Sequence, residues 1–169
     1  MTLLDFYGRK PKVHKTCFIA PNATLIGSVT VSEHSSIWYN TVIRADLDEI
    51  VIGKKTCIQD NSVLHVDEGY PTYVGDNAII GHRVVLHGCK IGNNVLIGIG
   101  AVVLNGVEIG ESCVVAAGSV VTEKTRIPVG SLALGIPAKV VKKITDQHMG
   151  RIRKGVEMYA ELAQKHKNL

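Results

Sequence analysis

Aliphatic residues recur every six positions along most of this chain. One run is Ile19, Leu25, Val31, Ile37 and Ile43. After a slip of three it resumes at Ile52, Ile58 and Leu64, and after a slip of four at Val74, Ile80 and Leu86. It returns one residue early at Ile91 and continues through Ile97, Val103, Ile109 and Val115 to Val121. The residue after the anchor is often Gly, as at Gly53, Gly75, Gly92 and Gly98, and the fourth is small or β-branched, as at Ala23, Val29, Thr41 and Ser62. A period of six is neither the 3.6 of a helix nor the 2.0 of a simple strand. It is the hexapeptide repeat of a parallel β-helix, in which each hexad is a short strand plus a turn and three hexads close one coil. Anchors and small residues point inward and stack at the ordinary inter-strand spacing of about 4.8 Å. The pattern predicts an all-β solenoid of about five to six coils.

The repeat fades after Val121, and "LALGIPAKVVKKI" (132–144) reads as an exit segment. From Thr145 to Lys165 the period becomes helical, with Ile152, Val156, Tyr159 and Ala163 on one stripe. The expected organisation is a β-helix domain over 1–144 and a C-terminal helix over 145–169 packed along it.

Composition changes this picture little. Hydrophobic residues are 46% of the chain but aromatics only 5%, as an aliphatic ladder requires. There is no unbroken apolar run long enough to span a membrane, and "MTLLDFYGRKPKV" has no charged-apolar-small signal design, so no membrane partner and a cytoplasmic location are expected. The four cysteines form no C-x-x-C pair. The net charge of +4 is spread through "KVVKK", "RIRK" and "KHK" without aromatic interleaving, which argues for a solvated face and against a nucleic-acid surface.

The register assigns each polar residue to a column. On the face anchored by Ile43, Leu64 and Leu86, the next residues point outward: Arg44, His65 and His87. On the preceding face, two residues past Ile37, Ile58 and Ile80, come Tyr39, Asp60 and His82. His82 and His87 are close in sequence, yet a prism corner separates them. Three prisms packed around a threefold axis would bring His82 of one copy to the His65/His87 face of the next, which predicts a homotrimer. Three neutral imidazoles with an open position form a catalytic zinc arrangement, and the same set accepts Fe(II), Co(II) or Ni(II). Arg44, Asp46, Gln59 and Asp60 lie close enough in register to orient such ligands.

"IRAD" (43–46), "IQDNSVLH" (58–65), "IGHRVVLHG" (80–88) and "GIPAK" resemble the γ-class carbonic anhydrases, in their short, ferripyochelin-binding-protein-like branch. The resemblance implies left-handed coils, Zn2+ (or Fe2+ or Co2+) on His65, His82 and His87, and reversible hydration of CO2 to bicarbonate by a metal-bound hydroxide at a trimer interface. It further implies that Arg44 and Asp46 order the site across subunits and that Asp60 joins Arg44 in an interfacial ion network. Gln59 would hydrogen-bond the water or substrate, and Tyr159 would reach the site from the C-terminal helix. Two positions depart from the archaeal type: Leu47 stands where a glutamate follows the aspartate, and the insert after His65 is only "VDEGYPTY", where Asp67 or Glu68 would take over proton relay. Two alternatives stay open. One is acyl chemistry on coenzyme A thioesters, as in hexapeptide acyltransferases. The other is a non-catalytic trimeric scaffold.

Overall fold

The computed structural model describes residues 1–168; Leu169, the last residue of the segment 145–169, lies outside the described residues. The hexads fold into strands of mostly two or three residues separated by turns, and the chain winds into a left-handed parallel β-helix. In the first face Ile37, Ile58, Ile80, Ile97, Val115 and Ala133 stack in register. The second face stacks Leu25, Ile43, Leu64, Leu86, Val103 and Val121. The third stacks Val31, Ile52, Val74, Ile91, Ile109 and Ile127. The last two faces merge into one twelve-stranded sheet, because Thr24–Val31 and Val42–Ile52 pass the corner between them without a break. The stacked anchors are buried, and each Ile, Leu or Val among them contributes roughly 1.5–3 kcal/mol through removal of its side chain from water.

In five successive coils the corner between the first and second faces is turned by a left-handed backbone residue. Asn40, Asn61, Arg83, Gly100 and Gly118 supply it, with φ between 55° and 69°. Gly and Asn meet that demand at least cost; Arg83 meets it directly after His82, so the corner sets where that imidazole projects.

The solenoid is longer than the periodicity predicts. It makes about seven turns. Leu3 stacks on Leu25 and Val13 on Val31, with a small hairpin closed by the Phe6–Arg9 bridge breaking the period between them. At the other end Ile127 stacks on Ile109 and Ala133 on Val115. Ala133 fills its inward position with a methyl group, so it does not register as an aliphatic anchor. Residues 132–144 are therefore no simple exit: Ser131–Gly135 is a final rung, and Ala138–Lys143 folds back antiparallel on it. The lysines of that outer strand blunt the sheet edge.

Helix α1 spans Asp146–His166, one residue beyond the expected start and end, with Thr145 extended at its N-cap and its backbone N–H donated to His148 Nδ1 at 3.0 Å. Its stripe lies on the first face. Ile152 and Val156 pack with Ile79 and Val114, and Ala163 and the half-buried Tyr159 join the main core. No helix among the described residues is long and apolar enough to cross a membrane.

Candidate metal centre

The sequence-derived site residues separate into two groups on one chain. The first lies on the second face. His65 and His87 are register partners on adjacent coils, and their rings meet edge to face with centroids 4.9 Å apart. Nδ1 of His65 lies 3.0 Å from Nε2 of His87. Asp46 reaches them from an insertion: residues 46–49 bulge out where the neighbouring coil has only Ser28 between its paired residues. One carboxylate oxygen of Asp46 lies 3.0 Å from His65 Nε2, and the other pairs with the Arg44 guanidinium. Burial alone would raise the Asp46 pKa, but the hydrogen bonds from His65 and Arg44 outweigh it and hold the carboxyl below its ordinary range.

The second group sits at the corner between the first and second faces. His82 Nδ1 lies 2.9 Å from one oxygen of Asp60, whose other oxygen accepts the Tyr39 backbone N–H at 3.2 Å. Gln59 is buried beneath α1, with its side chain against the Tyr159 hydroxyl. Tyr159 also stacks edge-on to Trp38 at 5.7 Å, and burial pushes its hydroxyl pKa up. The structure thus brings Tyr159 to Gln59 and Trp38. Within the chain Arg44 pairs with Asp46, while Asp60 holds His82. Among the described residues of one chain, no three or more His, Cys, Asp or Glu side chains converge as a metal site.

The hydrogen bonds fix the ring nitrogens. A carboxylate only accepts, so His65 carries its hydrogen on Nε2, toward Asp46, and His82 carries its hydrogen on Nδ1, toward Asp60. His87 Nδ1 lies 2.6 Å from Asn105 Oδ1, which also only accepts. When both rings are neutral, the facing nitrogens of His65 and His87 both present lone pairs across 3.0 Å. Two neutral imidazoles repel in that arrangement, and a shared cation relieves it. The donor set fits a divalent metal that takes imidazole nitrogen.

Asn105 is absent from the sequence-derived site. It sits two residues past the Val103 anchor, one coil above Gly88, and a readable signal exists: the glycine below leaves room for a longer side chain to descend toward His87. The loop after His65 is likewise built into the site, since Thr72 Oγ1 donates to the His65 carbonyl at 2.8 Å and Asn105 Nδ2 donates to Asp67 Oδ2 at 3.2 Å. Tyr73 donates to Glu49 at 2.6 Å, tying this loop to the 46–49 bulge, and that carboxylate pushes the tyrosine pKa to about 12.

Known proteins share this architecture. The family model of the bacterial transferase hexapeptide (six repeats) matches residues 88–123. The "Probable carbonic anhydrase" of Methanocaldococcus jannaschii is 49% identical over 90% of this chain and 96% of its own length. "Gamma carbonic anhydrase 1, mitochondrial" of Arabidopsis thaliana is 42% identical over 98% of this chain, which spans 62% of that longer protein. The crystal structure of a hexapeptide transferase family protein from Anaplasma phagocytophilum superposes with a TM-score of 0.94 at 38% identity, over 97% of both chains. At that identity and coverage, the chain belongs to the γ-class carbonic anhydrase family.

Proposed function

We propose that this protein hydrates CO2 reversibly to bicarbonate and a proton at a divalent-metal site completed between copies of a homotrimer. The observation that carries the proposal is the split of three histidines, each held by an acceptor, with His65 and His87 facing each other on the second face and His82 at the corner. Each half lacks what the other has. The surface between them suits association: Val42, Val63, Val85, Val102 and Val120 form an outward column on the second face, with Val63 40% exposed, and Ile99, 50% exposed, lies one coil above His82. Such an apolar strip supports the reading of this face as an interface.

Zn2+, Fe2+ or Co2+ held by His65, His87 and His82 of the partner subunit would supply Lewis acidity, making water a nucleophile near neutral pH. The protein does the rest. Asp46 and Asp60 hold His65 and His82 with their lone pairs free for the ion. Arg44, 44% exposed in its side chain, neutralises Asp46 and extends outward, where Asp60 of the partner subunit would meet it. The Gln59 amide orients water or CO2, with Tyr159 against it. Asp67 or Glu68, in the loop after His65, would carry the released proton to buffer.

A mixing experiment tests the shared site. His82→Ala and His87→Ala homotrimers are expected to be inactive in stopped-flow CO2 hydration with zinc, cobalt or anaerobic iron. Dissociated and reassociated together, they should recover about a quarter of the parental sites, because each interface draws its two halves at random. No activity in the parent with any of these metals overturns the enzymatic reading. Activity on a coenzyme A thioester in the same preparation would replace it with acyl chemistry, and a parent that retains no metal would replace it with the scaffold reading.

A further inference from the structure

We infer that Asn105 and Asp67 are the positioning residues that fix the tautomer and orientation of His87, so that the loop after His65 is a built part of the ligand set. The inference rests on the reading of His65 and His87 as a metal pair. Its steps follow from donor and acceptor chemistry. Asp67 can only accept, so the Asn105 amide must turn its Nδ2 toward Asp67 Oδ2, 3.2 Å away. Its Oδ1 then faces His87 Nδ1 at 2.6 Å and demands the ring hydrogen there. The lone pair of His87 is left on Nε2, the nitrogen that faces His65. Without Asp67 the amide would be free to turn over, and the opposite tautomer, which cannot offer Nε2 to a cation, would become accessible.

The backbone is shaped for this contact. Gly88 follows His87 with φ +57°, and a Cβ there would lie 2.3 Å from Asn105 Oδ1 and 2.7 Å from Tyr70 Cβ. A side chain at 88 would displace both the amide and the loop above it. Asp67 is held in turn by the Asp67–Tyr70 bridge that closes the loop. The three histidines therefore have three separate acceptors: Asp46 for His65, Asp60 for His82, and Asn105 backed by Asp67 for His87. A neutral amide oriented by a carboxylate fixes the ring without adding another full charge beside it.

Nitrogen-15 histidine correlation spectra of the metal-free trimer at about pH 8, above the ordinary imidazole range, read the tautomer directly. The parent should show His87 as the Nδ1–H form, and Asn105→Ala should shift it toward Nε2–H. Zinc affinity, measured against a competing chelator, should fall about 10–100-fold in Asn105→Ala. The doubly changed Asn105→Asp, Asp67→Asn protein reverses donor and acceptor across the Asn105–Asp67 contact while keeping an acceptor for His87. It should restore the tautomer and most of the affinity, a rescue that mere packing would not produce. A parent His87 in the Nε2–H form, or an Asn105→Ala protein with unchanged tautomer and affinity, overturns the inference. A parent with the Nδ1–H form that binds zinc but hydrates no CO2 supports the inference while overturning the proposed reaction.

Discussion

The coils from Ile91 to Ile127 and those from Ile37 to Cys89 share one inward ladder and differ in nearly everything outward. In the upper region the anchors stack without insertion from Ile91 through Ile109 to Ile127 on the third face and from Ile97 to Val115 on the first. In the lower region the same ladder is interrupted at one corner, by the 46–49 bulge and the loop between His65 and Thr72. Where the upper coils place Leu104 and Thr122, the lower coils place Arg44, His65 and His87. In a solenoid each coil needs only its neighbours, so stability resides in the ladder and outward positions are free to vary. Chemistry is concentrated where the repeat departs from itself.

The sharpest test exchanges equivalent outward positions. His87→Ala should lower CO2 hydration by about a thousandfold or more, on the order of 4 kcal/mol of transition-state stabilisation, with the circular dichroism of the β-helix unchanged. Thr122→Ala, in the same column two coils above, should leave both untouched. A comparable loss from Thr122→Ala would mean that the upper coils share in the site beyond the single contact of Asn105 and that the division is wrong.

The inward ladder should give the opposite result, with equal effects in both regions. Leu86 and Ile97 are fully buried, one in a site coil and one in a plain coil. Truncating either to Ala should cost about 2–5 kcal/mol through lost transfer energy and the cavity left behind. Each kcal/mol should lower Tm by about 2–4 °C in a chain of this size. A far smaller cost at Leu86 would show that the insertions have loosened the lower coils.

That division also explains how much could be read from the residues alone. The ladder was legible because inward positions admit only aliphatic or small side chains, and a fixed period then placed His65, His87 and His82 in their columns. The terminal turns were not: Ala133 is too small to count as an anchor, and the hairpin at Phe6–Arg9 shifts the phase before Ile19. Contacts made by the insertions were hidden for a related reason. Residues 46–49 and 66–71 have no period, so nothing in the register says that Asp67 meets Asn105 or that Glu49 meets Tyr73. Asp46 was legible as a polar neighbour of Arg44 and through the resemblance that "IRAD" carries, but its bond to His65 required the bulge to be seen.

A smaller effect separates scaffold from site within the lower region. Asp46→Asn keeps shape and one acceptor oxygen but removes the charge that faces His65 and Arg44. Metal affinity should fall about 10–100-fold, as for the loss of other groups that orient ligands. Glu108→Gln, which removes the exposed partner of Arg126 in the upper region, should change stability by no more than about 0.5 kcal/mol and metal affinity not at all.

The buried thiols give the finest comparison, because Cys57 and Cys89 belong to the site coils and Cys113 to a plain one. Burial pushes Cys57 and Cys89 from 9.0 to about 12 and raises Cys113 as well. A folded-state pKa above the unfolded one means that the native protein holds more protons between the two. The thiols' contribution to stability is therefore complete below pH 9 and declines as pH rises from there toward 12. Guanidinium midpoints should fall between about pH 8 and pH 10 for this reason. At the lower pH, an aromatic disulfide reagent should label Cys57, Cys89 and Cys113, three of the four buried thiols, slowly and at one rate, set by opening of the ladder. Faster labelling of Cys57 and Cys89 than of Cys113 would show that the site coils open on their own. The insertions that carry the chemistry would then have weakened the ladder beneath them, and the two regions would differ inside as well as out.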